Sequence, residues 1–420
     1  MESIRLFSFL YFSTHWIWRG WEYPMIGDSL LLINARIVGE DKILDPGWMH
    51  VTEGVIGELG HGAPPNELFS GLAYHQVDAR GQWVVPGFID MHVHGANGAD
   101  VMDGTSSAIE KIGQFHIQHG TTGWLPTTLT APIEALEKSI QASGIAQQTA
   151  WRSGSAQVLG VHLEGPFLSP SKMGAQNPVF VQPPNISIMK RLLETVPGLV
   201  RKVTLAPEQP GALQLIQFLR EEKVIVSIGH TVASYEETIK AFEAGATHAT
   251  HVFNAMNSIH HREPGAVGAC LLSQNVICEL IADGHHVHPE VLKLVMRLKG
   301  KDGVILITDA IGATGKPDGV YQLGGMNIVV KQGISTLQDS QSLAGSTLTM
   351  DEAIRNMMIQ VGVTLFEAIQ MASLTPAREL GLDHRKGVLA VGHDADFVLL
   401  DESLLASETY ILGRRLYRRS

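Results

Sequence analysis

Asp90-Met91-His92-Val93-His94-Gly95 follows directly on the apolar run Val84-Val85-Pro86-Gly87-Phe88-Ile89. This run predicts a buried strand, and side chains two residues apart on a strand point to the same face. Both imidazoles can therefore reach one metal ion, as zinc-binding histidines do. The pair alone is weak evidence, because a histidine at a strand end can also be structural.

Beyond this stretch, short β-rich runs alternate with segments of helical periodicity, which is the pattern of βα units around a parallel sheet. One helix is marked by a capping box from Ser234 to Glu237 and by Gly245 at its end. Eight such runs can be counted, and eight repeated βα units predict a (β/α)8 TIM barrel. The β-rich runs are residues 88–93, 122–127, 158–163, 202–206, 224–228, 247–252, 276–282 and 304–308.

The two chain ends differ from the middle. Residues 25–82 and 380–420 have the strand-and-turn character of a small β-sandwich domain formed from both ends, which leaves 83–379 for the barrel. Residues 1–24 contain an apolar run too short to cross a bilayer, followed by three tryptophans. We interpret them as an extension upstream of a native start at Met25.

Composition excludes some classes of function. The chain has 420 residues, 45% of them hydrophobic, and a net charge of −11, so nucleic acid is not an expected partner, and no membrane span is predicted. Two cysteines, Cys270 and Cys278, are too few for a disulfide framework. A reducing cytoplasm is therefore the expected compartment.

Six polar residues fall at the carboxyl ends of the predicted strands. In a parallel barrel these ends meet at one mouth, so residues far apart in sequence become neighbours around one site. Their agreement is stronger evidence than any one motif. The six are His92, His94, Glu164, His230, His251 and Asp309.

Imidazoles and a carboxylate suit a divalent ion, with zinc or iron favoured and manganese or cobalt as alternatives. Such an ion would supply hydroxide at neutral pH, and Asp309 could take a proton and deliver it to a leaving nitrogen. The set therefore predicts metal-assisted hydrolysis of an amide. Three other polar residues have less specific expectations. His162 could be a ligand, but a partner of the ligands or a core residue is favoured. Asp283 is expected as a substrate contact or a turn residue, and His248 as a structural residue.

Several longer motifs carry a resemblance. The series His162-Leu163-Glu164-Gly165-Pro166-Phe167, His251-Val252-Phe253-Asn254-Ala255-Met256 and Arg262-Glu263-Pro264-Gly265, with Ala282-Asp283-Gly284 and Thr308-Asp309-Ala310, resembles the N-acetylglucosamine-6-phosphate deacetylases of the amidohydrolase superfamily. The resemblance extends from about residue 28 to the C terminus.

The resemblance implies a role for each matching position. Glu164, His230 and His251 would hold the principal metal ion, and Asp309 would be the general base and then the general acid. Histidines at positions 92 and 94 would allow a second ion, with Glu164 as the bridge. The resemblance also implies a homodimer, because the arginine matching Arg262 reaches across an interface in relatives.

The resemblance further implies the contacts to the sugar phosphate. In the loop after Glu164, many relatives carry Gly-x-His-Asn-Pro, whereas this chain has Gly174-Ala175-Gln176-Asn177-Pro178. Gln176 can form hydrogen bonds but cannot carry a proton at neutral pH. Substrate preference among acetamido sugars is therefore open at this position. The implied substrate contacts are Ala175, Gln176, Asn254, Ala255, Arg262, His286, Leu343, Ala344 and Gly345.

The predicted reaction is hydrolysis of N-acetyl-D-glucosamine 6-phosphate to D-glucosamine 6-phosphate and acetate. The isomeric galactosamine phosphate is the nearest alternative substrate. Cyclic-amide hydrolases of the superfamily typically use a carbamylated lysine as bridging ligand, a role that falls to Glu164 here. A non-catalytic barrel protein is the alternative from another class, and the six clustered polar residues argue against it.

Overall fold

The computed structural model describes residues 29–65, 74–340 and 342–420. The predicted extension, residues 1–24, lies outside them. Parallel strands, most of them followed by a helix, form a (β/α)8 barrel, which confirms the predicted fold class. The barrel strands are β6 (Phe88–Val93), β9 (Thr121–Thr128), β10 (Gln157–Val158) with β11 (Val161–Glu164), β12 (Val200–Leu205), β13 (Ile225–Ile228), β14 (His248–Ala249), β15 (Ile277–Ile281) and β16 (Val304–Ile307).

The barrel closes between its first and last strands, just beyond the end of β16. The amide of Asp309 donates to the carbonyl of His92 at 2.9 Å, and the amide of His94 donates to the carbonyl of Ala310 at 2.8 Å. Below these bonds, the Thr308 hydroxyl donates to the buried Asp90 carboxylate at 2.6 Å. The seam of the barrel therefore runs through residues that the sequence singled out as functional.

Helices connect the strands and cover the barrel. The predicted helix at Tyr235–Ala244 is confirmed with its capping box: the amide of Glu237 donates to the Ser234 hydroxyl at 3.1 Å, and the Glu237 carboxylate accepts from the Ser234 amide at 2.8 Å. The helices are α1 (Ser106–His116), α2 (Ile133–Ser153), α3 (Ile186–Thr195), α4 (Ala212–Glu221), α5 (Tyr235–Ala244), α6 (Gly265–Leu272), α7 (Pro289–Lys299), α8 (Met350–Asn356), α9 (Leu365–Ala372) and α10 (Leu374–Glu379).

Two predicted strands differ from the structure. The third run breaks at Leu159 and Gly160, where the chain changes its hydrogen-bonding neighbours. The sixth run shortens to β14, because the backbone turns into the left-handed region at His251 and Phe253. The sequence analysis also missed two small antiparallel sheets: β7 (Gly95–Ala96) with β8 (Ala99–Asp100), and β17 (Gly319–Leu323), β18 (Met326–Lys331) and β19 (Ile334–Leu337).

The chain ends build a separate sheet of eight strands. It includes Trp83–Pro86, which the sequence analysis assigned to the barrel and which pairs antiparallel with Phe397–Leu400. The division of the chain into two domains stays a prediction. The strands are β1 (Ser29–Val38), β2 (Ile43–Thr52), β3 (Val55–His61), β4 (Tyr74–Asp78), β5 (Trp83–Pro86), β20 (Phe397–Leu400), β21 (Ala406–Ile411) and β22 (Arg414–Arg418).

Across the residues that the structure describes, every helix is too short or too polar to span a bilayer.

A buried lysine ties the segment after α10 to the chain-end sheet. The Lys386 ammonium lies 2.8 Å from Asp394 Oδ2 and 2.5 Å from Asp396 Oδ2, and all three side chains are buried. Removing one member of a buried ion pair leaves an uncompensated charge, which costs about 3–5 kcal/mol. The cluster therefore holds the segment after α10 against the start of β20.

We predict that Lys386→Ala lowers the free energy of unfolding by about 3–5 kcal/mol in guanidinium titrations. Lys293→Ala is the control, because Lys293 forms an ion pair with the exposed Glu290 at 2.6 Å, and such pairs contribute about 0–1 kcal/mol. Equal losses in the two variants would contradict the prediction.

Candidate active site

The six polar residues of the sequence analysis lie at the mouth of the barrel. His92 lies within β6 and His94 follows it, and Glu164 is the last residue of β11. His230, His251 and Asp309 each lie two residues after their strands end. All six are buried, with relative exposures of 0–7%. The structure thus brings together the whole predicted set.

Three of these residues have an unusual backbone. His230, His251 and Asp309 adopt φ of 48°, 30° and 53°, in the left-handed region that side chains other than glycine rarely occupy. Such conformations cost about 1–3 kcal/mol each and are typical of functional sites. The strained backbone turns each side chain from its strand end into the barrel mouth.

The ligand atoms form two groups of three. His92, His94 and Asp309 make one group, and Glu164, His230 and His251 make the other, with the ligand atoms in each group within 4.8 Å of one another. In the first group His94 Nε2 lies 3.1 Å from His92 Nε2 and 3.2 Å from Asp309 Oδ1. In the second, His251 Nε2 lies 3.1 Å from His230 Nε2.

Glu164 lies between the two groups. Its Oε1 is 3.2 Å from His230 Nε2 and 3.1 Å from His251 Nε2. Its Oε2 is 3.2 Å from His94 Nε2, while Oε1 is also 3.4 Å from His92 Nε2. Glu164 would therefore be in reach of an ion held by either group.

The chemistry of the donor set fits divalent ions. His94 Nδ1 donates to the Thr127 carbonyl at 3.1 Å and His230 Nδ1 donates to the Lys172 carbonyl at 2.9 Å, so in the neutral rings Nε2 keeps a free lone pair for an ion. Without an ion, the lone pairs of neighbouring imidazoles and carboxylates would face one another in a buried site. A cation, whether a proton or a metal ion, is required there.

The electrostatics of the site agree with this requirement. Burial lowers the pKa of His92 and His94. The Glu164 and Asp309 carboxylates outweigh burial and raise the pKa of His92 to about 9 and of His94 to about 10. Burial opposes ionisation of Glu164, yet the His92 and His230 imidazoles hold its pKa well below the usual range. The two carboxylates therefore favour a cation at His92 and His94, whereas burial lowers the pKa of His251 in the other group.

Gln176 holds the bridging carboxylate. Its Nε2 donates to Glu164 Oε2 at 2.6 Å, and its Oε1 accepts from the Thr130 amide at 2.6 Å. The Thr130 contact fixes which way the amide points, so the NH2 group faces Glu164. Gln176, which stands where many relatives carry a histidine, therefore contacts a predicted metal ligand directly.

A cavity of about 440 Å³ opens above the ligands. Gly345 borders it with φ of 54°, and a Cβ there would come within 2.3 Å of Ile311, so the loop requires glycine. The cavity is lined by most of the predicted substrate contacts, namely Ala175, Gln176, Asn254, Ala255, His286, Leu343 and Gly345.

Two predicted substrate contacts do not line the cavity. The Ala344 side chain is fully buried in an apolar cluster with Ile311, although its neighbours Leu343 and Gly345 border the cavity. Arg262 is exposed on a loop outside the cavity, where its guanidinium donates to His261 Nε2 at 2.6 Å. Within one chain, Arg262 is therefore not a part of the pocket.

The residues with structural expectations also have defined places. His162 is buried, bonded to Thr204 Oγ1 at 2.7 Å, and its ring lies edge-on to His92 at 4.6 Å, so it belongs to neither ligand group. Asp283 accepts from His286 Nδ1 at 2.6 Å and so orients a residue of the cavity wall. His248 is buried in the barrel.

The sequence analysis missed a buried ion pair beneath the ligands. Lys202 on β12 and Glu279 on β15 contact each other through Lys202 Nζ and Glu279 Oε1, and both are fully buried. Burial raises the pKa of Glu279, but the Lys202 ammonium and His92 outweigh burial and hold it at about 2. The charged Glu279 in the middle of the apolar strand Ile277–Ile281 is the signal that could have revealed the pair.

Comparison with known proteins identifies the family. The model of the amidohydrolase family matches residues 83–414. The chain belongs to the amidohydrolase family. The match covers the whole barrel and reaches into the chain-end sheet. It includes all the ligand positions described above.

Individual relatives of this amidohydrolase agree with the resemblance found in the sequence. It is 38% identical to an N-acetylglucosamine-6-phosphate deacetylase of Lysinibacillus sphaericus over 389 residues, which is 92% of this chain and 97% of the relative. It is 39% identical to an N-acetylgalactosamine-6-phosphate deacetylase of Escherichia coli O157:H7 over 379 residues, 90% and 97% of the two chains.

A solved structure is also similar. A mutant N-acetyl-D-glucosamine-6-phosphate deacetylase of Mycobacterium smegmatis, in complex with N-acetyl-D-glucosamine-6-phosphate, superposes with a TM-score of 0.85 at 36% identity. The match covers 93% of this chain and 100% of that one.

We predict that Gln176→Leu costs about 1–3 kcal/mol in the free energy of unfolding. The variant leaves the Thr130 amide without its acceptor and removes a donor from Glu164, and an unsatisfied buried polar group carries a penalty of this size. Guanidinium titration is the measurement. Lys240→Leu, at an exposed position of α5, is the control and should change stability by less than about 0.5 kcal/mol. A Gln176→Leu variant as stable as the control would contradict the role given to Gln176.

Proposed function

We propose that this amidohydrolase hydrolyses N-acetyl-D-glucosamine 6-phosphate to D-glucosamine 6-phosphate and acetate. The observation that carries the proposal is the convergence of two ligand groups, one of which includes Asp309, at one cavity. The relatives that cover nearly the whole chain act on acetamido sugar phosphates by name, and the cavity has the volume of a small-ligand site.

Five residues would be the metal ligands in this proposal. Glu164, His230 and His251 would hold the principal ion, and His92 and His94 would hold a second one, with Glu164 in reach of both. Zinc or iron suits the nitrogen and oxygen donors, and manganese or cobalt is the alternative. When bound, such an ion polarises the acetyl carbonyl and makes water a stronger nucleophile.

Asp309 is the proposed proton carrier. Its carboxylate borders the cavity and lies 3.2 Å from His94 Nε2. It accepts a proton from the attacking water as the water oxygen bonds to the acetyl carbon. It then gives this proton to the sugar nitrogen as the carbon–nitrogen bond breaks, so that the products are acetate and a free amine.

The substrate is held at the cavity wall. Asn254 and Ala255 border the cavity beside the ligands, and the Asn254 side chain donates to the His251 carbonyl at 3.2 Å. The Asp283 carboxylate fixes the His286 ring through Nδ1, which leaves Nε2 for the substrate.

The place of Arg262 favours a homodimer. The guanidinium is exposed and outside the cavity of its own chain. A guanidinium is the side chain best suited to bind phosphate through two hydrogen bonds. We propose that Arg262 completes the phosphate site of the partner subunit, as the resemblance implies. We also propose a cytoplasmic location, supported by the two buried cysteines, which are free thiols.

We predict that Asp309→Asn reduces acetate release at least 10³-fold, because the amide cannot accept the proton of the attacking water. The metal content of the purified variant should stay close to that of the wild type, since four imidazoles and Glu164 remain. Acetate release from N-acetylglucosamine 6-phosphate is measured beside the galactosamine isomer, the unphosphorylated sugar and chelator-treated enzyme. Near wild-type turnover by Asp309→Asn would remove Asp309 from the mechanism, and a faster rate with the galactosamine isomer would change the substrate.

We predict that Arg262→Ala lowers kcat/KM for the phosphorylated sugar about 10–100-fold, mainly through KM. Hydrogen bonds to charged groups contribute about 1.5–3 kcal/mol, and 1.4 kcal/mol corresponds to a factor of ten. The rate with unphosphorylated sugar should not change. Arg297→Ala, at an exposed position of α7, is the matched control. Equal kinetics in the two variants would exclude Arg262 from the phosphate site.

A further inference from the structure

The buried ion pair of Lys202 and Glu279 crosses the barrel interior directly beneath the ligand groups. Lys202 comes from β12 and Glu279 from β15, the fourth and seventh strands of the barrel, and both side chains have 0% exposure. Lys202 Nζ contacts Glu279 Oε1 and leaves the other oxygen of the carboxylate, Oε2, without a hydrogen bond from any described residue.

This second oxygen faces a ligand. Glu279 Oε2 lies 3.6 Å from His92 Nδ1, and His92 Nδ1 likewise has no hydrogen-bond partner in the described part of the chain. At 3.6 Å the two atoms do not form a hydrogen bond. They are nevertheless two unsatisfied buried polar atoms that point toward each other, with His92 Nε2 at the opposite side of the ring among the ligands.

We propose that Glu279, held in place by Lys202, is a positioning residue that orients the His92 ring for the second metal ion. This inference rests on the metal centre of the proposed function. A carboxylate that accepts from the far nitrogen of a ligating histidine fixes its tautomer and makes it a better ligand. Lys202 keeps the carboxylate from turning away from His92.

The arrangement around two of the other histidines supports this role. His94 and His230 donate from Nδ1 to the backbone carbonyls of Thr127 and Lys172, so the main chain fixes their rings. Among the described residues, neither His92 Nδ1 nor His251 Nδ1 has such a carbonyl within hydrogen-bond distance, and at His92 the Glu279 carboxylate occupies the corresponding place. A buried ion pair is also poor at stabilising a fold, because apolar residues of similar volume often serve equally well. A role toward His92 accounts for its presence.

Glu279→Gln tests the proposal, because it keeps the shape of the side chain and removes its charge. Metal-free protein is titrated with zinc against a competing chelator, and bound zinc per chain is measured after dialysis. We expect wild-type protein to bind two zinc ions. In the variant, the weaker of the two should bind about 10–100-fold less tightly, while the tighter ion is unchanged.

Two further variants make the result specific. Lys299→Met removes another buried lysine, whose ammonium donates to the backbone carbonyls of Cys270 and Ser273, and it should retain both ions. The double variant Lys202→Met with Glu279→Met replaces the pair by apolar side chains, so it should fold and still lose affinity for the weaker ion. It serves as the test if Glu279→Gln does not fold.

The proposal is overturned if Glu279→Gln or the double variant binds two ions with wild-type affinity. It is also overturned if wild-type protein binds only one ion, or if both ions weaken equally. Acetate release by the wild type is assayed separately. A wild-type protein that binds two ions but does not release acetate would reject the proposed reaction and leave the zinc titrations of the variants to decide on Glu279.

Discussion

The barrel closes through main-chain hydrogen bonds that involve the ligands themselves. The amide of Asp309 donates to the His92 carbonyl and the amide of His94 donates to the Ala310 carbonyl, so the first and last strands meet where the first ligand group forms. Residues on either side of the seam become neighbours only when the barrel is closed. The site is therefore a product of the complete fold, and no single βα unit could form it.

Burial gives the site its second constraint. Four imidazoles and two carboxylates lie together at 0–7% exposure, in surroundings where an uncompensated charge is costly. Their neighbours are arranged accordingly: carbonyls accept from the outer nitrogens of His94 and His230, Gln176 donates to Glu164, and an ion pair lies beneath His92. The polar network therefore leaves room for positive charge at its centre, between the ligand atoms.

Much of this could be predicted from the sequence, because the signal is periodic or positional. Glu164 and Asp309 follow apolar runs, and the ends of parallel strands meet at one mouth. The ligand set could therefore be predicted without knowing any distance between the side chains. The small sheet of β17–β19 was not, because its strands are short and partly exposed and lack a clear alternation of apolar residues. Arg262 and Ala344 were assigned through the resemblance, which transfers a role but not the position of a side chain. The contact of Lys202 with Glu279 joins strands that are not neighbours in the sheet, and a one-dimensional pattern does not contain such a contact.

The left-handed backbone at His230, His251 and Asp309 has a consequence for engineering this enzyme. Glycine or asparagine would fit each of these conformations more easily than the residues present. A search for thermostable variants that scores folding alone would therefore favour replacing three residues of the reaction centre. Natural proteins commonly lose stability where activity requires it. These three residues should therefore be held fixed in such a search.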